Sequence, residues 1–231
     1  MKKCLIIAPH QDDEVIGCGG VMLKLIKNGW EVKVFYVFSG NSGCSGLSPA
    51  KSEVARETEA EAAAKSGGWQ LLGNLKIADR SDVSVQTVTR ALVNVIREYE
   101  PDVIFSPHEN ESDFEHSLTS KAVREASWLA GAFAFPDAGK RLEKNLLIVN
   151  FEVWTPLLNP TFCVDISEFM KKKQEIIRLF TSQVSLTNWD EGIIGLNAYR
   201  GTISFGKGHA EAYSVNKTTL NVLIGLLNDL T

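Results

Sequence analysis

At 231 residues, 44% of them hydrophobic and with a formal net charge of −4, the chain can bury one sizeable core without disulfide staples. Mild acidity argues against a nucleic-acid surface, which carries a basic patch. No apolar run approaches the roughly 20 residues of a membrane helix, and the apolar stretch before Pro9 is too short for a signal-peptide core.

The first two thirds read as alternating strand and helix. Cys4 to Ala8 is a strand, and Gly17 to Asn28 a buried helix ending at Asn28-Gly29. Glu31 to Phe38, β-branched and aromatic, is a second strand; Ser39 to Ser48 is a Gly/Ser-rich loop. Pro49 to Lys65 is Ala- and Glu-rich and helical by propensity, stopped at Gly67-Gly68. Val83 to Tyr99 carries Val85, Val88, Leu92, Val95 and Ile96 on one helical face. Asp102 to Ser106 is a buried strand, Glu115 to Trp128 a helix and Leu146 to Phe151 a strand. Asp165 to Ser182 reads as one amphipathic helix, Trp189 to Tyr199 as another, and Gly201 to Gly208 as a glycine-rich loop able to close over a site. Lys171-Lys172-Lys173, the basic run of the chain, reads as a solvated helix face.

This β-α-β alternation predicts an α/β fold: a Rossmann-like three-layer sandwich with a mostly parallel central sheet, in a single domain over residues 1–231. In such sheets the site lies beyond the carboxyl ends of the strands. Three polar loops follow predicted strands there: His10 to Glu14, Ser39 to Ser48, and Pro107 to His116.

The first loop, Ala8-Pro9-His10-Gln11-Asp12-Asp13-Glu14, puts a histidine and three carboxylates at the end of a buried strand. Histidine and carboxylate are ligands for a catalytic zinc or similar divalent ion, and a second carboxylate beside them suits a general base. An acidic first helical turn is the alternative. Of the four histidines, His10, His108 and His116 fall in the first and third loops; His209 lies late in the chain. Asn41 and Ser42 in the second loop offer hydrogen bonds to a sugar, or ordinary turn chemistry. Four cysteines, Cys4, Cys18, Cys44 and Cys163, form no CxxC pair and read as reduced thiols of a cytoplasmic protein.

The first motif resembles the A-H/P-x-D-D-E signature of the LmbE-like, or PIG-L, family of zinc-dependent N-deacetylases. Ala55 to Ala63 is similar to that family's R-x-x-E-A-x-x-A-A segment, and residues 107–116 to its P-H-x-x-D-x-H-x-D-H segment. Weaker matches are Glu152 to Leu157, Asp165-Ile166-Ser167, Ser182-Gln183 and Ala210 to Tyr213. The resemblance implies a hydrolase that removes an acetyl group from an N-acetylated amino sugar or sugar conjugate. It implies His10, Asp13 and His116 as metal ligands, with Zn2+ bound or Fe2+, Mn2+ or Co2+ in its place. Asp12 matches the general base, and Arg56 a position that contacts substrate. Glu14 is assigned to capping the helix or orienting His10.

One departure stands out. Where the family usually has a histidine three residues before the last ligand, assisting the transition state as a cation, this chain has Asp113. Asp113 is open to metal binding, to holding a substrate hydroxyl or to orienting His116, and His108 could supply the missing imidazole. The alternatives are a degenerate, sugar-binding member of the same fold and, from Gly17-Cys18-Gly19-Gly20, a dinucleotide fold, which GxGxxG would mark and this turn lacks. The expected partners are a small amino-sugar substrate and, for the C-terminal third, a second copy of the chain; neither nucleic acid nor a membrane span is expected.

Overall fold

A computed structural model describes residues 1–217 and 220–231. Its seven-stranded sheet runs β3-β2-β1-β4-β5-β7-β6. The strands β1 (Lys3–Ala8), β2 (Glu31–Phe38), β3 (Gln70–Ile77), β4 (Val103–Pro107) and β5 (Leu147–Phe151) are parallel. β7 (Ala210–Lys217) joins β5 antiparallel and carries β6 (Phe162–Asp165) on its other side, also antiparallel. The expected α/β fold with a mostly parallel sheet is the observed one.

Strand periodicity sorts the core into two layers. Cys4, Ile6 and Ala8 of β1 face α1 (Asp13–Lys27), α2 (Pro49–Gly67), α5 (Met170–Ile177), α7 (Trp189–Phe205) and α8 (Leu220–Leu230). Leu5 and Ile7 point to the other face, under α3 (Val85–Tyr99) and α4 (Phe114–Ala130). From β1 the chain winds through β2 to β3, then returns to place β4 on the opposite side of β1. β1 is therefore the switch point, and the crevice beyond its carboxyl end is where such sheets bind ligands.

α1 starts four residues earlier than its apolar pattern suggests, at Asp13 instead of Gly17. It is not a regular helix, because Cys18 interrupts it at φ −144° and ψ 19°. It also lies unusually close to the sheet: a Cβ on Gly17 would enter the Phe151 ring, and one on Gly20 would sit 2.7 Å from Ile166 Cγ2.

The C-terminal third corrects several expectations. Residues 162–165 form edge strand β6, so the predicted 165–182 helix is split into α5 and the short α6 (Thr181–Val184). Helix α7 continues to Phe205, taking up most of the predicted glycine-rich loop. β3 was invisible to pattern reading: it is a half-exposed edge strand with polar residues and Gly73 inside it. Lys173 is not on a solvated face. It is fully buried, and its Nζ donates to Ile16 O (2.8 Å), Asn197 Oδ1 (2.9 Å) and Glu211 Oε1 (2.7 Å). The same Glu211 accepts from the Gly20 and Val21 amides and from the Tyr213 hydroxyl. No helix among the described residues is long and apolar enough to cross a membrane.

Candidate metal centre

The loops after β1 and β4 meet at the switch point. His10 leaves β1 and Asp13 opens α1; His116 lies in the first turn of α4, at the end of the β4 loop. His10 Nδ1 and His116 Nε2 each lie 3.4 Å from Asp13 Oδ2, and the three ligand atoms fall within 4.8 Å of one another. A tetrahedral ion with bonds of about 2.1 Å holds neighbouring ligands about 3.4 Å apart, so this donor set fits zinc or a similar divalent ion. Nearby carboxylates, Asp12, Asp13, Glu111, Asp113 and Glu115, outnumber the guanidiniums of Arg56 and Arg80, which leaves charge for a cation to neutralise.

His10 and Asp13 are held by hydrogen bonds to their neighbours. Glu115 Oε2 accepts from His10 Nε2 at 2.9 Å, which frees Nδ1 to face Asp13. His10 also stacks on Phe38. Asp13 Oδ2 accepts from the His10 amide at 2.9 Å, closing the turn. Burial works against a charged His10, but its hydrogen bonds to Asp13 and Glu115 push its pKa up to about 10. Burial likewise opposes ionised Asp13, and the neighbouring His116 and His10 outweigh it and hold the carboxyl low.

Asp12 adopts φ 119°, a left-handed conformation that costs a non-glycine residue about 1–3 kcal/mol. Three contacts impose it. Its amide donates to Glu14 Oε2 (3.0 Å), Glu14 Oε1 accepts from the Tyr36 hydroxyl (2.8 Å), and Arg56 Nη2 donates to Asp12 Oδ1 (3.0 Å). Glu14 thus braces the Asp12 backbone, whereas the His10 ring is oriented by Glu115. Burial raises the Asp12 pKa to about 6, with Arg56 pulling the other way.

The remaining predicted residues are distributed unevenly. Arg56 is buried on the cleft wall, donating to Gln11 O and Asp12, with Nε and Nη1 unpartnered. Ser42 lines the cleft; the Asn41 Oδ1 is spent accepting from the Asp79 amide at 3.0 Å. Asp113 N-caps α4, accepting from the Glu115 and His116 amides, and pairs with Arg80 Nη2 at 2.7 Å. Its carboxylate thus holds the first turn of α4, the turn that carries His116. His108 is off the cleft wall: it is buried with Nε2 2.7 Å from Thr155 O and 3.3 Å from Glu111 Oε1. His209 is not on the cleft wall; its backbone amide donates to Ser167 Oγ at 2.9 Å.

Glu115, Asp79, Arg80 and Trp189 escaped sequence reading, and Glu111 reads in the sequence only as a mild replacement of a family aspartate. Glu115 was only one acid in a polar run. Asp79 and Arg80 follow the unrecognised β3; Asp79 accepts from the Gly40 and Ser42 amides, both at 2.8 Å, pinning the second loop. Trp189, at the start of α7, lines the cleft beside Trp154. Glu111, one residue type away from the family's aspartate, accepts from the amides of Val153 (2.7 Å), Trp154 (3.1 Å) and Thr155 (3.0 Å). Burial raises its pKa, yet hydrogen bonds to His108, His116 and Val153 pull it down to about 2.

A doubly wound sheet with a histidine–aspartate–histidine cluster at its switch point defines the class. The chain belongs to the PIG-L family, described as GlcNAc-PI de-N-acetylase, which it matches over residues 5–127. Among curated relatives it is 28% identical over 199 residues to the diacetylchitobiose deacetylase of Thermococcus kodakarensis, covering 82% of this chain and 73% of that one. Among solved structures it is similar to N,N'-diacetylchitobiose deacetylase from Pyrococcus horikoshii (TM-score 0.85, 26% identity, 93% of this chain and 84% of that one). It is also similar to the conserved protein TT1542 from Thermus thermophilus (TM-score 0.83, 25% identity, 95% and 97%).

Proposed function

We propose that the chain is a zinc-type, metal-dependent N-deacetylase acting on an N-acetylated amino sugar or sugar conjugate, with residues 1–231 as one catalytic domain. The observation that carries this is the pair of 3.4 Å separations of His10 Nδ1 and His116 Nε2 from Asp13 Oδ2. The names of the relatives support the acyl group and the sugar. The unpaired cysteines, three of them buried, fit a cytoplasmic setting.

His10, Asp13 and His116 would hold the ion. When bound, it supplies Lewis acidity, lowering the pKa of a water toward about 7 and polarising the acyl carbonyl. Asp12 takes the proton from the attacking water on the carboxylate oxygen that Arg56 leaves free, and returns it to the leaving amine. Arg56 fixes that carboxylate and keeps it ionised. Glu115 fixes the His10 ring, and Asp113 the first turn of α4.

Elemental analysis of the native chain beside His10→Ala and His116→Ala tests the metal. About one ion per chain, lost in both variants, is expected. Asp12→Asn should keep the ion and lose acetate release by a factor of about 100 or more. Unchanged turnover in that variant would remove Asp12 from the mechanism. A second reading, a metal-holding but inactive sugar binder, is favoured by Asp113 lying bound to Arg80 where the family has a cation. Metal without turnover of any N-acetyl sugar would establish it.

A further inference from the structure

Of the two guanidiniums on the cleft wall, one is open to a substrate. Arg56 is 2% exposed: its Nη2 donates to Gln11 O and Asp12 Oδ1, and its Nε and Nη1 are buried. The Arg80 side chain is 55% exposed. Two carboxylates hold it, with Nη2 2.7 Å from Asp113 Oδ2 and Nη1 3.5 Å from Glu115 Oε2. A guanidinium carries five N–H donors, so donors remain for the cleft. The main chain beneath is fixed too: Arg80 sits at φ 58°, and its amide donates to Glu115 Oε1. Gln183, the other long donor on the wall, gives its Nε2 to Gly43 O.

Asp12 is tied through Arg56 to α2, and Arg80 through Asp113 and Glu115 to α4. Those two helices pack on opposite faces of the sheet, so the base and the exposed cation come to the cleft from different layers. Glu115 also accepts from the His10 ring, and Asp113 from the His116 amide. The guanidinium is therefore one carboxylate removed from each histidine of the cluster.

Resting on the deacetylase reading above, we infer that Arg80 is a catalytic residue, its guanidinium donating to the acyl oxygen as the tetrahedral anion forms. In amide hydrolysis the water oxygen bonds to the acyl carbon, the C=O π pair moves onto the acyl oxygen, and the water proton goes to Asp12. Collapse returns that pair, breaks the C–N bond and sends the proton out on the amine, leaving acetate. The charge on the acyl oxygen exists only between these steps. A preorganised donor that meets it there contributes about 10²–10³ in kcat.

The native chain, Arg80→Met and Arg80→Lys are compared for zinc content and for acyl release from N-acetylglucosamine and N-trifluoroacetylglucosamine. The trifluoromethyl group withdraws charge from the acyl oxygen and lessens the need for a donor. Arg80→Met should keep its zinc and lose about 100-fold in kcat on the acetamide, with KM within about threefold. Its loss on the trifluoroacetamide should be smaller by about tenfold or more, and Arg80→Lys should recover part of the acetamide rate. A loss confined to KM would make Arg80 a ground-state contact. Equal losses on the two substrates would make it a positioning residue acting through Glu115 and His10. Either result overturns the proposal, as does zinc lost from both variants. Should Arg80→Met alone lose zinc, the same comparison of the two substrates is read from Arg80→Lys. If the zinc-loaded native chain acts on neither sugar, the deacetylase reading fails and takes this role with it. Turnover by the native chain with an unaffected Arg80→Met rejects the role of Arg80 alone.

Discussion

Glu111 shows how one buried carboxylate can organise both a loop and a site. It takes three main-chain donors from residues 153–155 and faces His108 and His116. Removing it leaves those amides without an acceptor, at a cost of about 1–3 kcal/mol for each donor that water does not reach. Glu111→Ala should therefore lose about 2–4 kcal/mol in urea denaturation of the metal-free protein. A loss below about 1 kcal/mol would mean that the loop draws its order from elsewhere. The histidines, Asp12 and Asp13 were readable because they are unusual residues at the end of an apolar strand. Glu111 and Glu115 carried no role in the sequence, since an acid in a polar loop gives no signal until its donors arrive from residues 153–155 or from His10.

Among the elements, α1 sets two tendencies against each other. Exchanging a helical glycine for alanine raises helix propensity by about 1 kcal/mol. At Gly17 the added methyl would overlap the Phe151 ring, and at Gly20 it would press on Ile166. Overpacking costs about 1–3 kcal/mol, so packing wins. Both Gly17→Ala and Gly20→Ala should lower the thermal midpoint, Gly17→Ala by more; a raised midpoint in either would show that the helix can shift off the sheet. The β-α-β core was legible because β1, β2, β4 and β5 are apolar and bounded by turns. β3 and β6 were not, because edge strands exposed on one side need no continuous apolar run. With β3 went Asp79 and Arg80, whose loop pins the second polar loop and Asp113.

For the molecule as a whole, the buried Lys173–Glu211 pair fastens the C-terminal third to the first helix. Deleting one partner of a fully buried pair costs about 3–5 kcal/mol because the other charge is stranded. Lys173→Met should lose stability on that scale, and Lys173→Met with Glu211→Gln should regain part of it. Equal stability of the two variants would place the cost in lost packing. This pair was illegible beforehand: a lysine in a three-lysine run looks solvated, and its acceptors come from Ile16, Asn197 and Glu211.

The same fastening has a temporal side. The amides of Gly20 and Val21 find their acceptor 191 and 190 residues downstream. At synthesis rates of about 5–20 residues per second, the first helix waits on the order of 10–40 s for the strand that completes it. Throughout that wait its apolar face and the acidic turn beside it have no finished scaffold. Completion of the metal-proximal helix thus has to follow synthesis of Glu211, 191 residues after Gly20.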